Sequence, residues 1–133
     1  MPMIQIVYRS RASAELGWEG LENILSAART RNAKDAVTGL LLYDGRRFLQ
    51  AIEGPDHATG ACYDRILHDD RHRSVELVLR EGIEARQFGS FAMAAMTPGS
   101  TGKDAFLAEI KQRLEHVTAP HLQALFIGFA VLA

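Results

Sequence analysis

Apolar and polar positions alternate at the start of the chain and then recur with the spacing of a helix. The segment Met3–Tyr8 alternates and is rich in β-branched residues, which predicts a strand with Ile4, Ile6 and Tyr8 on one face. The next segment, from Gly17 to about Asn32, is predicted to be an amphipathic helix. Its apolar face consists of Leu21, Ile24, Leu25 and Ala28.

The segment Ala36–Glu53 carries Asp-Gly between two apolar runs, and this pattern predicts a β-hairpin. In its second strand, Gln50 stands between Phe48 and Ile52 on the same face. A buried amide without hydrogen-bond partners costs on the order of 1–3 kcal/mol. Gln50 therefore needs a partner, and two are open: the hydroxyl of Tyr8 alone, or a planar polar ligand that Gln50 bridges to Tyr8.

The remaining pattern predicts a helix, two strands and two further helices. Gly54-Pro55-Asp56 ends the hairpin and begins a helix that extends roughly to Asp70. This helix is predicted to bury Ala58, Cys62 and Ile66, with Leu67 as a further candidate for burial. The later predicted elements are strands at Ser74–Ile83 and Phe91–Met96, a break at 98–102, and helices near 103–116 and 118–131.

The order of these elements is β-α-β-β-α-β followed by an extra strand and two helices. This order is typical of the ferredoxin-like α+β fold, with a mixed sheet and two core helices on one face. The other face then needs a cover, which the C-terminal helices can supply through Phe106, Leu107, Ile110 and Leu114. We expect a core over residues 1–97 and a helical extension over 98–133, packed on the sheet.

Composition narrows the possible partners of this domain. The chain has 133 residues, of which 47% are hydrophobic, so it can build one substantial core. Its net charge of −1 is scattered, which argues against nucleic acid and anionic lipid as partners. The single Cys62 excludes an internal disulfide and fits a reducing compartment. With no visible signal peptide or membrane span, we expect a cytoplasmic protein.

Several polar residues do not suit a plain core or surface. Asn32 closes the first helix, where its amide can cap the helix or reach across a cleft. Arg65 and Asp69 are spaced i,i+4, which usually gives a weak ion pair on a solvated helix face. With Arg31, Arg71 and His72 nearby, the same groups would also suit a ribityl chain and phosphates at one end of a cleft.

Enzymatic and metal chemistry have little support. His68 and His72 are one turn apart but lack a third ligand, and neighbouring arginines disfavour a cation, so we predict no metal site. The sequence contains no phosphate-binding loop and no nucleophile with a base, so we predict no enzyme. An acylphosphatase-like hydrolase shares the element order, but RSRASAELG is a poor version of the glycine-rich anion loop that it would need.

Five segments together resemble the BLUF family, which senses blue light with FAD. The resemblance extends over about residues 3–97 and is most specific in the hairpin. The segments are IVYRSRAS at 6–13, ARTRN ending at Asn32, VTGLLLYDGRRFLQAIEGP at 37–55, YDRILHDDRH at 63–72 and FAMAAM at 91–96.

The resemblance implies roles for individual residues. Tyr8 and Gln50 correspond to the photoactive pair, and Met93 to the switch methionine of the last strand. Phe91 stands where the family often has tryptophan, which puts a tryptophan-based signal in doubt. The residues implied to bind FAD are Tyr8, Arg31, Asn32, Gln50, Arg65, Asp69 and His72.

The implied function is that of a photoreceptor with non-covalently bound FAD. Light would drive an electron and then a proton from Tyr8 to the flavin, and Gln50 would rearrange in response. The signal would leave through the last strand and the C-terminal helices, to a homo-oligomer partner or to a separate effector protein. The alternative is a light-independent ferredoxin-like module that binds a ligand or a partner.

Overall fold

The structure is a computed structural model that describes residues 2–14, 18–95 and 102–132, except the side chains of Trp18, Met93 and Ala95. The expected helix start at Gly17, the residue Met96 and most of the break at 98–102 lie outside the described residues. So does the expected boundary between core and extension at 97/98.

The described residues form five strands and four helices in the expected order. The first half contains β1 (Met3–Ala12), α1 (Trp18–Asp35), β2 (Thr38–Tyr43) and β3 (Arg47–Pro55). The second half contains α2 (Asp56–Leu67), β4 (His72–Ile83), β5 (Phe91–Ala95), α3 (Lys103–Arg113) and α4 (Pro120–Val131).

All five strands belong to one sheet with the order β4-β1-β3-β2-β5. Neighbouring strands run antiparallel, apart from β2 and β5, which are parallel and make the sheet mixed. Each βαβ crossover leaves space for one strand between its two parallel strands, and β3 and β1 occupy those spaces. This arrangement confirms the predicted ferredoxin-like α+β fold.

The two faces of the sheet are buried by different helices. On one face, α1 and α2 cover Ile4, Ile6 and Tyr8 of β1, as the alternation predicted. On the other face, α3 and α4 pack against the sheet, with Phe106, Ile110 and Phe126 fully buried. The sheet is therefore the middle layer of three, and the C-terminal helices cover the second face as expected.

The ends of several elements differ by a few residues from the sequence-based expectation, including those of β1 and α2. Strand β1 continues past Tyr8 to Ala12, because Ser10 and Ala12 are buried while Arg9 and Arg11 alternate with them on the outer face. The expected helix to Asp70 ends at Leu67, where the backbone turns before β4. Leu67, the further candidate for burial on this helix, is exposed and does not belong to the core. Within the described ranges, none of the helices has both the length and the apolar character to cross a membrane.

Candidate functional site

Tyr8 and Gln50 are direct neighbours across β1 and β3. They are paired in the antiparallel register, and both are buried. The Tyr8 hydroxyl donates a hydrogen bond to Oε1 of Gln50. Opposed residues of antiparallel strands share a face, so this bond follows from the register of the two strands. Gln50, the polar residue on the apolar face of the hairpin, is thus bound to Tyr8, which was one of the two partners left open by the sequence.

The Tyr8 ring lies in a pocket of other aromatic rings. Its centroid is 5.8 Å from that of Tyr63 on α2 and 6.0 Å from that of His72 at the start of β4. Burial raises the pKa of Tyr8 well above its ordinary value, and the nearby Cys62, Asp69 and Tyr63 raise it further. Tyr8 therefore holds its proton at any ordinary pH and remains a hydrogen-bond donor to Gln50.

A cleft opens between α1 and α2 directly in front of Gln50. It contains a cavity of about 100 Å³, with Ile24 and Leu41 among its apolar walls. The cavity brings together six of the residues expected at the cofactor: Arg31, Asn32, Gln50, Arg65, Asp69 and His72. Tyr8 lies behind Gln50 and does not line the cavity, and the Met93 side chain lies outside the described part of the structure.

Two buried amides present hydrogen-bond donors to this cleft. Neither Nε2 of Gln50 nor Nδ2 of Asn32 makes a hydrogen bond to any described residue. The other end of each amide accepts a bond: Gln50 from Tyr8, and Asn32 from the Cys62 thiol at 3.6 Å. Because both residues line the cleft, a ligand edge rich in acceptors matches this pair of donors. The heteroatom edge of a flavin ring has that chemistry, so these residues suit FAD.

The opposite end of the cleft carries charged side chains in an arrangement that the spacing did not predict. Arg65 is not paired with Asp69 but lies with Nη2 3.5 Å from the Asp35 carboxylate, at the end of α1. Asp69 instead binds Arg71, with Nη2 and Oδ2 2.6 Å apart. The predicted i,i+4 ion pair between Arg65 and Asp69 was wrong because α2 ends at Leu67. Asp69 lies beyond the end of the helix, so it is not placed one helical turn from Arg65.

The electrostatics of this end favour an anion with hydroxyl groups beside it. The hydrogen bond from Arg71 lowers the pKa of Asp69, so that carboxylate stays ionised as an acceptor. The buried Nη2 of Arg65 has no hydrogen-bond acceptor among the described residues. A phosphate near Arg65 and Arg31 would supply one, while Asp69 and Arg71 remain available to a polyol chain.

His72 connects the cleft to the Tyr8 pocket. Its Nδ1 is 2.8 Å from the Ser10 hydroxyl, and its ring centroid is 4.5 Å from that of Phe48. Burial lowers the pKa of His72; Asp69 opposes this effect, and Arg71 adds to it. The ring is therefore held in its neutral form, packed edge-on against Tyr8.

Sequence reasoning did not assign Cys62 and Ile66 to the cleft, although both line it. Cys62 and Ile66 were assigned to the core, yet both lie on the face of α2 that also carries Arg65. Their i,i+3 and i,i+4 spacing was the available signal, since such residues share one helix face.

These observations define a ferredoxin-like domain with a ligand cleft between its two core helices. Residues 3–94 match the model of one family, BLUF, described as sensors of blue light using FAD. The chain belongs to this family, and its cofactor is FAD, in agreement with the donor groups of the cleft.

Known proteins support the same assignment. The chain is 34% identical over 88 residues to the blue light- and temperature-regulated antirepressor BluF of Escherichia coli K12, covering 66% of this chain and 22% of that protein. The structure of the BlrP1 BLUF domain superposes with a TM-score of 0.77 at 25% identity, over 99% of this chain and 90% of that one. The dark-state structure of BlrB, a BLUF protein, gives 0.72 at 28% identity, over 99% and 98%. The chain spans less than a quarter of the length of the curated relatives it matches.

Proposed function

We propose that this protein is a photoreceptor in which Tyr8 and Gln50 convert light absorption into a change of hydrogen bonding. The observation that carries this proposal is the bond from the Tyr8 hydroxyl to Gln50, with the other end of the Gln50 amide facing the cleft. Asn32 and Gln50 would hold the ring of FAD. Arg65, Asp69, Arg31 and His72 would hold its ribityl and phosphate chain.

FAD, when bound, absorbs blue light and becomes a strong electron acceptor. Tyr8 is the proposed electron donor, because its ring is buried directly behind Gln50. Loss of an electron makes a phenol strongly acidic, and the hydrogen bond to Gln50 Oε1 gives the proton a path away from the ring. Both electron and proton return to Tyr8 afterwards, so no residue is consumed.

Gln50 is the proposed switch, because its two ends differ in chemistry and hardly at all in shape. In the present orientation Oε1 faces Tyr8 and the Nε2 donor faces the cleft. Rotation or tautomerisation of the amide changes which end donates toward the cleft. The Tyr8 hydroxyl can donate or accept, so it can partner either arrangement. The resulting stronger hydrogen bond to the bound ring is the expected cause of a red-shifted absorption.

The signal would cross the sheet along one row of residues. Gln50 pairs with Leu41 of β2, and Leu41 pairs with Met93 of β5, so the three occupy neighbouring positions on adjacent strands. Next to Met93, Ala94 belongs to the core under α3 and α4. A displacement of β5 would thus reach the C-terminal helices. We propose that these helices act on a protein partner, either a second copy or a separate effector, and that the chain has no catalytic activity of its own.

We also propose a cytoplasmic location for this function. Cys62 is a buried free thiol whose sulfur lies beside Asn32 in the cleft. Unpaired thiols persist in reducing compartments, which is consistent with this location.

An absorption spectrum recorded before and after blue light tests the proposal. The purified, FAD-loaded protein should show a small red shift of the flavin band that reverses in the dark. Protein that binds FAD but shows no shift would refute the switch. Protein that takes up no flavin would refute the assignment of the cleft.

A further inference from the structure

Three arginines lie in one row on the face of the sheet turned away from the cofactor cleft. Arg11 of β1 is paired in register with Arg47 of β3 on one side and with Arg73 of β4 on the other. Like charges placed directly opposite one another on neighbouring strands destabilise a sheet. The chain as a whole carries a net charge of −1, so this concentration of positive charge is local.

Acidic side chains neutralise only part of the positive charge in and around this row of arginines. Arg47 has an ion pair with Asp44, with Nη2 and Oδ2 2.7 Å apart, and Arg9 binds Glu76 at 2.8 Å. Within the described ranges, neither Arg11 nor Arg73 has an ion pair or a side-chain hydrogen bond. The buried Nη2 of Arg47 also lacks a hydrogen-bond acceptor there, because its contact with Asp44 has ion-pair distance without hydrogen-bond geometry.

Two arginines of the row, Arg11 and Arg47, border an open groove between the sheet and the last helix. The groove contains a cavity of about 520 Å³, and Arg9, Arg11 and Arg47 are among its lining residues. The opposite wall is apolar and is formed by Leu125, Phe129 and Leu132, with Val78 at the β4 edge. The Arg47 guanidinium lies 4.8 Å from the centre of the Phe129 ring, so charge and apolar wall meet at one point.

We propose that this groove binds a small organic anion with an apolar body, of the class of medium-chain carboxylates. The carboxylate would lie against Arg11, whose charge is unpaired among the described residues, with the Arg47 side chain beside it. The apolar body would lie along Phe129 and Leu125. A cavity of this size, mostly apolar with a few convergent polar groups, has the features of a small-molecule site. Glu76 does not oppose the anion, because Arg9 already neutralises it.

The site is separate from the cofactor cleft. The cleft lies under α1 and α2, whereas the groove lies under α4 on the other face of the sheet. The two share β3, where Gln50 and Arg47 are three residues apart. This inference does not depend on the photochemical proposal, since the groove is formed by residues outside the cleft.

Octanoate and 1-octanol are matched probes, because they share a chain and differ in charge. Each is titrated into FAD-saturated, ¹⁵N-labelled protein in the dark, and amide shifts are followed by NMR. Octanoate should shift amides of residues 9–11, 47–49 and 124–129. In the double variant Arg11→Gln/Arg73→Gln, the Kd of octanoate should rise about fivefold or more, while that of octanol should stay within about twofold.

A second double variant, Arg29→Gln/Arg113→Gln, controls for net charge, since both of these arginines are exposed and lie on α1 and α3. It should bind octanoate as the unchanged protein does. The proposal is overturned if octanoate leaves the groove amides unshifted, if Arg11→Gln/Arg73→Gln binds it with unchanged affinity, or if the control loses as much affinity. Dispersed spectra and an unchanged flavin band establish that each variant is folded.

Discussion

The ring of Tyr63 lies 5.8 Å from the ring of Tyr8, with an angle of 50° between their planes. Two phenols therefore stand beside the cofactor cleft, but only Tyr8 is hydrogen-bonded to Gln50. Trp18, the single tryptophan of the chain, begins α1, and Asn32 lies fourteen residues further along that helix. This spacing corresponds to roughly 21 Å along the helix axis, so Tyr63 is the better-placed second donor.

Replacing Tyr8 by phenylalanine should separate electron donation from switching. Tyr8→Phe should bind FAD and lose the red shift, because no proton and no hydrogen bond reach Gln50. Tyr63 can still give an electron, so flavin fluorescence should lengthen in Tyr8→Phe and lengthen further in Tyr8→Phe/Tyr63→Phe. Time-resolved fluorescence and light-minus-dark spectra measure both effects.

Tyr43→Phe is the matched control, since the Tyr43 hydroxyl donates to the Gly45 carbonyl at the hairpin turn. It should retain the red shift. A normal red-shifted state in Tyr8→Phe would show that another donor operates, and would remove Tyr8 from the mechanism.

Gln50→Leu should remove the switch and leave the donor in place. The Tyr8 hydroxyl then loses its acceptor in a buried site, which costs on the order of 1–3 kcal/mol of unfolding free energy. The red shift should disappear while flavin fluorescence stays quenched by Tyr8. Urea unfolding and the same spectra check these outcomes. A red shift that survives Gln50→Leu would contradict the role of the amide.

Acidification should destabilise the protein through His72. Burial lowers the pKa of His72 in the folded state, so below about 6.5 the unfolded chain binds a proton that the folded chain does not. The stabilising contribution is complete above the unfolded pKa and is lost as the pH falls through the folded pKa. Each unit of pKa difference corresponds to about 1.4 kcal/mol.

Urea unfolding between pH 8 and pH 5 measures this dependence. His72→Gln should flatten the profile, whereas His57→Gln, at an exposed position of α2, should leave it unchanged. An identical slope in the unchanged protein and in His72→Gln would assign the acid sensitivity to other groups.

Phe126→Ala should destabilise the fold without disturbing the cofactor. Phe126 is fully buried between α4 and the sheet, on the face away from the cleft. Its truncation should cost about 3–5 kcal/mol, while the flavin band and the red shift stay unchanged. The control Leu132→Ala removes an exposed side chain and should stay within about 0.5 kcal/mol. A changed flavin spectrum in Phe126→Ala would show that the two faces are tightly coupled.

Removal of everything after Thr101 is the more severe form of the same change. The apolar face that carries Val7, Leu40 and Leu42 would then be open to water. An uncovered patch of that size should cause aggregation, which size-exclusion chromatography detects. A truncated protein that stays monomeric and photoactive would show that α3 and α4 are dispensable for folding.

Strand periodicity predicted the central part of the site from sequence. Phe48 and Ile52 lie in the core under α1 and α2, and Gln50 lines the cleft on that same side. These positions were predictable because a strand alternates strictly, and a register shift by one residue would expose the whole apolar face. The direct pairing of Tyr8 with Gln50 depends on that same register.

Contacts that depend on where an element ends were not predictable in the same way. The spacing of Arg65 and Asp69 predicted a pair only if the helix continued, and it ends at Leu67. Tyr63 could not be oriented because the i,i+3 pattern of α2 allows several buried faces until β1 is in place. The bulge in β4 near Ser74, a residue with φ of 53°, likewise has no signal in the local sequence.

Because the sheet is buried on both faces by different helices, the amino-acid sequence on one side can change during evolution without a change on the other side. The residues proposed to hold FAD lie within 3–94, the part matched by the family, whereas the helices that cover the far face begin at Lys103. Different amphipathic tails can therefore cover the same apolar face during evolution, provided that they fill the space over Val7 and Leu40. On the proposed output through these helices, replacing them would give the same light-absorbing unit a new output with no substitution in the cleft.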